Sequence, residues 1–515
     1  MIRRLGLLTA LIVLATSGLP GQVATGTMTG TVQDATNAIV VGAKVTLKHL
    51  ASGEVRTVNS NERGEFNVPF LRVGDYSLTV EMRGFKTTAI SPVTIRVDQT
   101  VTMPVVLNVG DLAETVEVSA TTPLVDSATS SIGQVIENKK IVDLPLNGRN
   151  TFALGLLAGN TVPMSGMGTN LPFVAGGGRF STNDIMLDGI DNNTSVNQNN
   201  IGRNGINYTP SVDAVEEFKV KTNNYSAEFG RSAGAIVSAT IKSGGNTFHG
   251  SAWNFLRNEK LDANNFFSNA GGVPRQPFKQ NQFGFTASGP VLIPKVYSGR
   301  NKTFFHFVYS GFRYRVGAPN SVLSTIPLDF RQGDFSRLAA PLYDPATTRT
   351  VGTSIQRDPF AGNRIPQARF SSVSRNILPL LPTPINNSIF NNFISVGRAK
   401  TDSNQANLKL DHAFSDRNRI SGYLYRDVNE TFDPELVPGP TTPNRKTLSR
   451  NFWTRISHDY VVSPAKLNHI NLGYTRFLTG IESYSLNGDW PNKLGLKGVN
   501  TGTDNGFPAV DFAGA

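Results

Sequence analysis

The sequence predicts a mainly β protein, with a small β-sandwich towards its N-terminus and membrane-crossing antiparallel strands towards its C-terminus. Three observations carry this. Apolar and polar residues alternate with period two over long stretches, punctuated by 49 Gly and 29 Pro. The chain opens on a segment that reads as an export signal. No run of eighteen apolar residues follows, so any crossing of a bilayer is made by strands and not by a helix.

Composition narrows the function classes. Hydrophobic residues make up 39% and charged residues 17%, and 31 Phe with 12 Tyr against 3 Trp favour pleated structure. Cysteine is absent, which excludes a disulfide scaffold, a thiolate zinc site and a cysteine nucleophile. The net charge of +11 is dispersed, without the clustered Lys and Arg of a nucleic-acid reader. It suits a basic exterior facing anionic lipid headgroups.

The elements follow in chain order. Arg3 and Arg4 precede an apolar run over residues 5–15 and then small residues, so residues 1–24 read as a signal peptide cut between Gly21 and Ala24. Eleven apolar residues are too few to span a bilayer as a helix. Over residues 25–109, Ala43, Val45 and Leu47 share one strand face with Lys44, Thr46 and Lys48 on the other. Phe66 and Val68 repeat this after Gly64, and Tyr76, Leu78 and Val80 after Gly74. The pattern Gly30-Thr31-Val32, Gly42-Ala43-Lys44-Val45, Gly64-Glu65-Phe66 and Gly84-Phe85 resembles the carboxypeptidase regulatory-like domain. That resemblance implies a transthyretin-like, carbohydrate-binding-like sandwich without peptidase chemistry, serving as a periplasmic spacer; sugar binding rests on fold analogy alone.

Residues 110–120 contain Glu114-Thr115-Val116-Glu117-Val118-Ser119-Ala120, which resembles the TonB box of outer-membrane transporters. Such a segment can add as a strand to a partner's sheet edge and transmit a pull. Several motifs follow in order across residues 121–247: Leu144-Pro145-Leu146-Asn147-Gly148-Arg149-Asn150, Leu187-Asp188-Gly189-Ile190-Asp191, and residues 212–220. Tyr225-Ser226-Ala227-Glu228-Phe229-Gly230-Arg231 and Thr240-Ile241-Lys242-Ser243-Gly244-Gly245-Asn246 complete the series. Together they resemble the plug of TonB-dependent outer-membrane receptors of the Oar-like type, which implies an α+β plug domain.

Residues 248–515 read as part of a transmembrane antiparallel β-barrel. Phe283, Phe285 and Ala287 oppose Gln282, Gly284, Thr286 and Ser288, while Ala406, Leu408 and Leu410 oppose Asn407, Lys409 and Asp411. Phe452, Thr454, Ile456 and Tyr460 oppose Asn451, Arg455, Ser457 and Asp459; Ile470, Leu472 and Tyr474 oppose Asn471, Gly473 and Thr475. Strands near Trp253, over residues 304–315 and near Tyr423 alternate less cleanly. Alternation alone does not tell lipid from a dry core; the export signal and the plug resemblance decide for a barrel. Residues 319–400, rich in Pro, Asn and Arg, form the expected long extracellular loop, which reads equally as a cargo-binding candidate or as a protective cap over the lumen. About seven strands fit after Thr247, against about twenty-two in plugged transporters, so the sequence predicts a truncated barrel and a fragment of a longer receptor.

Competing signals are weak. Gly230-Arg231-Ser232-Ala233-Gly234 matches a nucleophile elbow but lies in the plug match ahead of a strand-like segment. Asp188, Asp191, Asn192 and Asn193 lack calcium-loop spacing and read as a polar turn or an extracellular-facing plug loop. Gly176-Gly177-Gly178-Arg179 lacks the Gly-Lys of a phosphate loop, and the 6 His residues show no helical pairing. The expectation is a non-enzymatic receptor of the outer membrane, with its N-terminal domain in the periplasm and no metal, cofactor or nucleic acid. Its partners would be a TonB-type energy-coupling protein, outer-membrane lipid and an unidentified extracellular ligand. The rival expectation is a non-transporting surface protein for adhesion or carbohydrate binding.

Overall fold

The computed structural model describes residues 25–508 apart from 119–129, 147–148, 165–171, 179–181, 194–195, 198–199, 202–205, 231, 273, 318–320, 396, 438, 442–444, 464–465 and 500–504. The expected signal peptide, together with Ser119, Ala120, Asn147, Gly148 and Arg231, lies outside the described residues.

The N-terminal unit is a two-sheet sandwich. One sheet holds β1 (Gly26–Asp34), β4 (Glu65–Leu71), β7 (Thr100–Thr102) and β8 (Val105–Leu107). The other runs in the order β3 (Val55–Asn59), β2 (Lys44–His49), β5 (Gly74–Glu81), β6 (Thr87–Ile95), β9 (Thr115–Val118). Val45, Leu47, Phe66, Val68, Tyr76, Leu78 and Val80 are all buried in one cluster with Met28 and Val32. Each such side chain contributes roughly 1.5–3 kcal/mol on leaving water, which suffices to hold alternating strands face to face.

A second, α+β unit follows. Its five-stranded sheet has the order β10 (Ile132–Glu137), β13 (Val215–Asn223), β14 (Ile236–Ile241), β11 (Asp184–Leu187), β12 (Ile190–Asp191). Helix α1 (Asn138–Asp143) packs on it together with the 3-10 turn Thr151–Leu157. β11 and β14 pair in parallel and are buried at every residue, the signature of strands covered on both faces.

A third unit, an antiparallel wall of seven strands, adds Tyr423, Tyr425 and Trp453 to the core of the α+β unit. Its strands are β15 (His249–Asn258), β16 (Phe278–Pro290), β17 (Thr303–Gly317), β18 (Arg398–Ser415), β19 (Asn418–Phe432), β20 (Arg445–Ser463) and β21 (Lys466–Ser483), each paired with the next. Its burial is inverted relative to a soluble sheet. Asn407, Lys409, Asp411, Arg455 and Ser457 are buried, whereas Leu410, Ile456, Leu472 and Tyr474 on the opposite face are 45%, 54%, 66% and 56% exposed. A water-soluble sandwich would show the reverse, so the apolar face is built for a non-aqueous surrounding.

Strand ends differ. Towards one end, the links are residues 291–302, 416–417 and 464–465; towards the other they are 259–277, 318–397 and 433–444. Within the long link, residues 321–395 are folded, with ladders between Ser321–Leu323 and Phe393–Ser395 and between Arg349–Val351 and Ser354–Gln356. Bidentate Arg349–Asp358 and Arg369–Asp344 pairs brace it.

Candidate functional site

The three units meet at the end of the wall that carries the short links. The second unit seats on the wall's polar face through an aromatic contact. Tyr208 stacks on Tyr425 at 3.5 Å, its hydroxyl lies 2.8 Å from the Tyr423 hydroxyl, and Tyr423 donates to Asn407 Oδ1 at 2.7 Å. Tyr423, Tyr425 and Trp453 thereby join the apolar core of the α+β unit. Gly473 of β21 leaves room for Ile190, whose side chain a Cβ there would meet at 2.6 Å.

Asp188 sits in the tight turn between β11 and β12, with Asp188 at φ 47° and Gly189 at φ 80°. Its carboxylate accepts from Lys409 Nζ at 3.2 Å and from the Ile241 amide at 3.0 Å, and Arg455 lies 3.5 Å away. Asn471 donates to its carbonyl at 3.1 Å. A carboxylate on a residue 4% exposed is tolerable because two wall cations and one backbone donor, the Ile241 amide, satisfy it. The turn thus faces the wall near the end that carries the short links.

The sandwich closes the same end. Arg419 of β19 reaches Glu54, the Phe70 carbonyl at 3.1 Å and Asp459 at 3.2 Å. Arg72 pairs with Asp411 at 3.1 Å and lies 3.6 Å from Glu54, while Arg56 donates to the Asp416 carbonyl in the 416–417 turn at 3.2 Å. Burial alone pushes the Glu54 carboxyl up, but Arg419, Arg72 and Arg56 outweigh it and hold it below its ordinary value. Phe70, at φ 55°, stacks its ring on His469 at 5.1 Å. A left-handed Phe costs backbone energy, so the contact is over-determined by its surroundings. Between the units lies a cavity of about 610 Å³, lined by His49, Arg72, Asp188, Lys409, Asp411 and Arg455 among others. Both charge signs line it in interleaved pairs, so it is a junction and not a single-sign ligand pocket.

A second junction ties the sandwich to β13. The Val97 amide donates to Glu217, Lys219 Nζ donates to the Asp98 carbonyl at 2.7 Å, and Lys221 pairs with Asp98. Glu217, Lys219 and Lys221 share one face of β13. Burial pushes the Glu217 carboxyl up to about 7, opposed by the Val97 amide.

The other residues singled out in the sequence are dispersed. Arg149 pairs with Asp213 at 3.6 Å and lies 4.1 Å over the Phe255 ring of β15. Asn150 caps the 151–157 turn by accepting from the Phe152 amide, and Asp191 accepts from the Asn193 amide at 2.8 Å. Phe229 is buried under Lys221 at 4.1 Å, with Glu228 exposed beside it and Gly230 facing open space. Glu114, Thr115, Val116, Glu117 and Val118 run along the free side of the sandwich, where residues 115–118 pair in parallel with β6. Among the described residues no cluster of His, Asp or Glu has the makings of a metal site, and Ser232 Oγ donates to the Thr182 carbonyl at 2.8 Å. Sequence reading did not single out Glu54, Phe70, Tyr208 or Arg419; for Lys409 and Arg455 the signal was a long cation on the polar face of a membrane strand.

Comparison with known proteins sets this geometry in context. The family described as Outer membrane beta barrel domain matches residues 240–515, and the Carboxypeptidase regulatory-like domain matches residues 27–108. TonB-dependent transporter Oar of Myxococcus xanthus is 28% identical over 250 residues, 47% of this chain and 23% of that protein. The chain therefore matches less than a quarter of that relative's length. Among solved structures, the outer membrane transporter YddB of Escherichia coli aligns at 12% identity and TM-score 0.44, covering 69% of this chain and 40% of that one. The siderophore receptor PirA of Acinetobacter baumannii aligns at 12% identity and TM-score 0.35, covering 70% and 46%.

Proposed function

The chain belongs to the outer membrane β-barrel domain family, and from that premise we propose that it works as a TonB-dependent outer-membrane receptor of the Oar-like type. The observation that carries the reading is the inverted wall: an apolar face turned outward, and a polar face filled by the α+β unit through Tyr208, Asp188 and Ile190. In this reading the α+β unit, residues 121–247, is the plug, and residues 248–515 supply barrel strands. Cargo of unassigned chemistry binds from the long-link end, over residues 318–397. The sandwich stands in the periplasm, since short links mark that side of outer-membrane barrels and Arg56 rests on the 416–417 turn.

Residues 114–120 then receive the energy-coupling partner, whose pull reaches the plug through the following linker. The plug motif residues Arg149, Asn150, Asp188, Gly189, Asp191, Glu228, Phe229 and Gly230 serve as plug architecture and not as a catalytic set. Adhesion by the sandwich is the weaker reading, because two junctions already occupy its surface at residues 54–72 and 96–98.

Changing Thr115 and Glu117 together to Pro removes the two backbone donors that point away from β6 and that strand addition uses. The expected result is loss of cargo uptake and of binding to the partner's periplasmic domain, with unchanged amounts of protein in the outer membrane. Uptake at the unsubstituted rate would contradict energy coupling through this segment.

A further inference from the structure

The coupling segment does not hang free. Residues 115–118 form the fifth strand of the sandwich's larger sheet, in parallel register Thr87↔Thr115, Thr88↔Val116, Ala89↔Glu117 and Ile90↔Val118. The match to the regulatory-like domain ends at residue 108, so this strand comes from beyond it. The approach to it is pinned as well. Phe85 bridges Val109, the Thr87 hydroxyl donates to the Leu112 carbonyl at 2.8 Å, the Thr87 amide donates to the Glu114 carbonyl at 2.8 Å, and Lys86 pairs with Glu114. Among the described residues, the sheet order ends at β9, whose far edge pairs with no strand. Thr115 and Glu117 are exposed and Val116 is half-buried.

Charge marks the edge. The chain carries a net +11, yet residues 111–118 contain no Lys or Arg; they include Asp111, Glu114, which Lys86 pairs, and Glu117, which is exposed on β9 itself. An exposed edge strand without a blocking lysine is a template for another strand, and an acidic one favours a basic strand.

We propose that the far edge of β9 is the docking surface, and that its occupant is a basic, extended segment of the energy-coupling protein, received while β9 stays seated against β6. The partner's strand becomes the sixth of the sandwich sheet. Pairing with β6 holds residues 115–118 extended beforehand, so docking does not have to order them, and affinity gains accordingly. In any strand, successive backbone groups point to opposite sides, so pairing with β6 leaves the outward set available. The sandwich is then a structural part of the coupling interface and not only a spacer. This inference rests on residues 114–120 being the coupling segment.

The chain has no cysteine, so a cysteine pair introduced here is unique. Thr88→Cys with Val116→Cys joins two directly opposed positions and fastens β9 to β6 when oxidised. The probe is the purified periplasmic domain of a TonB-type protein, titrated onto the full chain with the bond formed and with it reduced. Affinities agreeing within about threefold, and falling steeply with added salt, are expected. A loss of tenfold or more on oxidation, restored by reduction, would mean that the strand must leave the sheet and would overturn the proposal. Absence of binding by the unsubstituted chain would instead overturn the coupling assignment itself. Thr87→Cys with Thr115→Cys, one register step away, gives the same comparison with Val116 intact.

Discussion

At the scale of single residues, the junctions are held by buried charges whose protonation favours opposite pH ranges. Glu217 has its carboxyl raised to about 7 from 4.5 by burial. The docked state therefore keeps a proton that an unfolded chain has lost, and stability falls as pH rises from about 4.5 to about 7, by up to about 3 kcal/mol. Burial lowers His49 to about 4 from 6.5, with Arg72 adding to the effect. Its contribution is complete above 6.5 and is lost as pH drops towards 4. Glu217→Gln should raise the melting temperature of the detergent-purified protein at pH 8 and leave it unchanged at pH 4; equal shifts at both would contradict the assignment. Asp188→Asn strips the anion from Lys409 and Arg455 inside the contact. It should cost about 3–5 kcal/mol, as breaking a buried pair does, whereas Asp191→Asn, which alters a bond within one turn, should cost about 1 kcal/mol. None of these partnerships was legible in the sequence, because Asp188 and Lys409 lie 221 positions apart and nothing local encodes the pairing.

At the scale of elements, legibility depended on whether a strand's inner face meets a polar or an apolar neighbour. β18 alternates cleanly because its inner residues, Asn407, Lys409 and Asp411, face charged or hydroxylic partners. β19 does not, because Tyr423 and Tyr425 point inward to Tyr208 while Leu424 is exposed outward, so three consecutive apolar residues mask the period. β17 is blurred the same way by buried Phe304 and Val308, and β15, an edge strand, is exposed on both faces over most of its length. The sandwich was legible throughout, since Val45, Leu47, Tyr76, Leu78 and Val80 face a dry core. Its docking was not, because Glu54, Arg72 and Arg419 look like ordinary surface charges until the units meet. Arg419→Ala leaves Glu54 and Asp459 without their shared cation and should speed proteolytic cleavage over residues 109–131 at least tenfold. Lys44→Ala breaks only the exposed Lys44–Glu81 pair and should leave that rate unchanged.

At the scale of the whole molecule, one feature orders the rest: a sheet with its apolar side outward and its charges inward, seated on the α+β unit through Tyr208 and Asp188. Leu410, Ile456, Leu472 and Tyr474 form the outer surface, and a Lys or Arg placed there should cost about 2–4 kcal/mol at bilayer mid-depth. The same change at Asn471 tests the inner face and should act on the Asp188 carbonyl contact instead. The most direct measurement uses single cysteines at Leu472 and at Asn471, each carrying an environment-sensitive fluorophore, with the protein in the outer membrane and brominated lipid as quencher. Quenching at 472 with little at 471 is the predicted result. Equal protection of both sites from lipid, with the 472 fluorophore left unquenched by every membrane quencher, would contradict the lipid-facing wall and the receptor reading built on it.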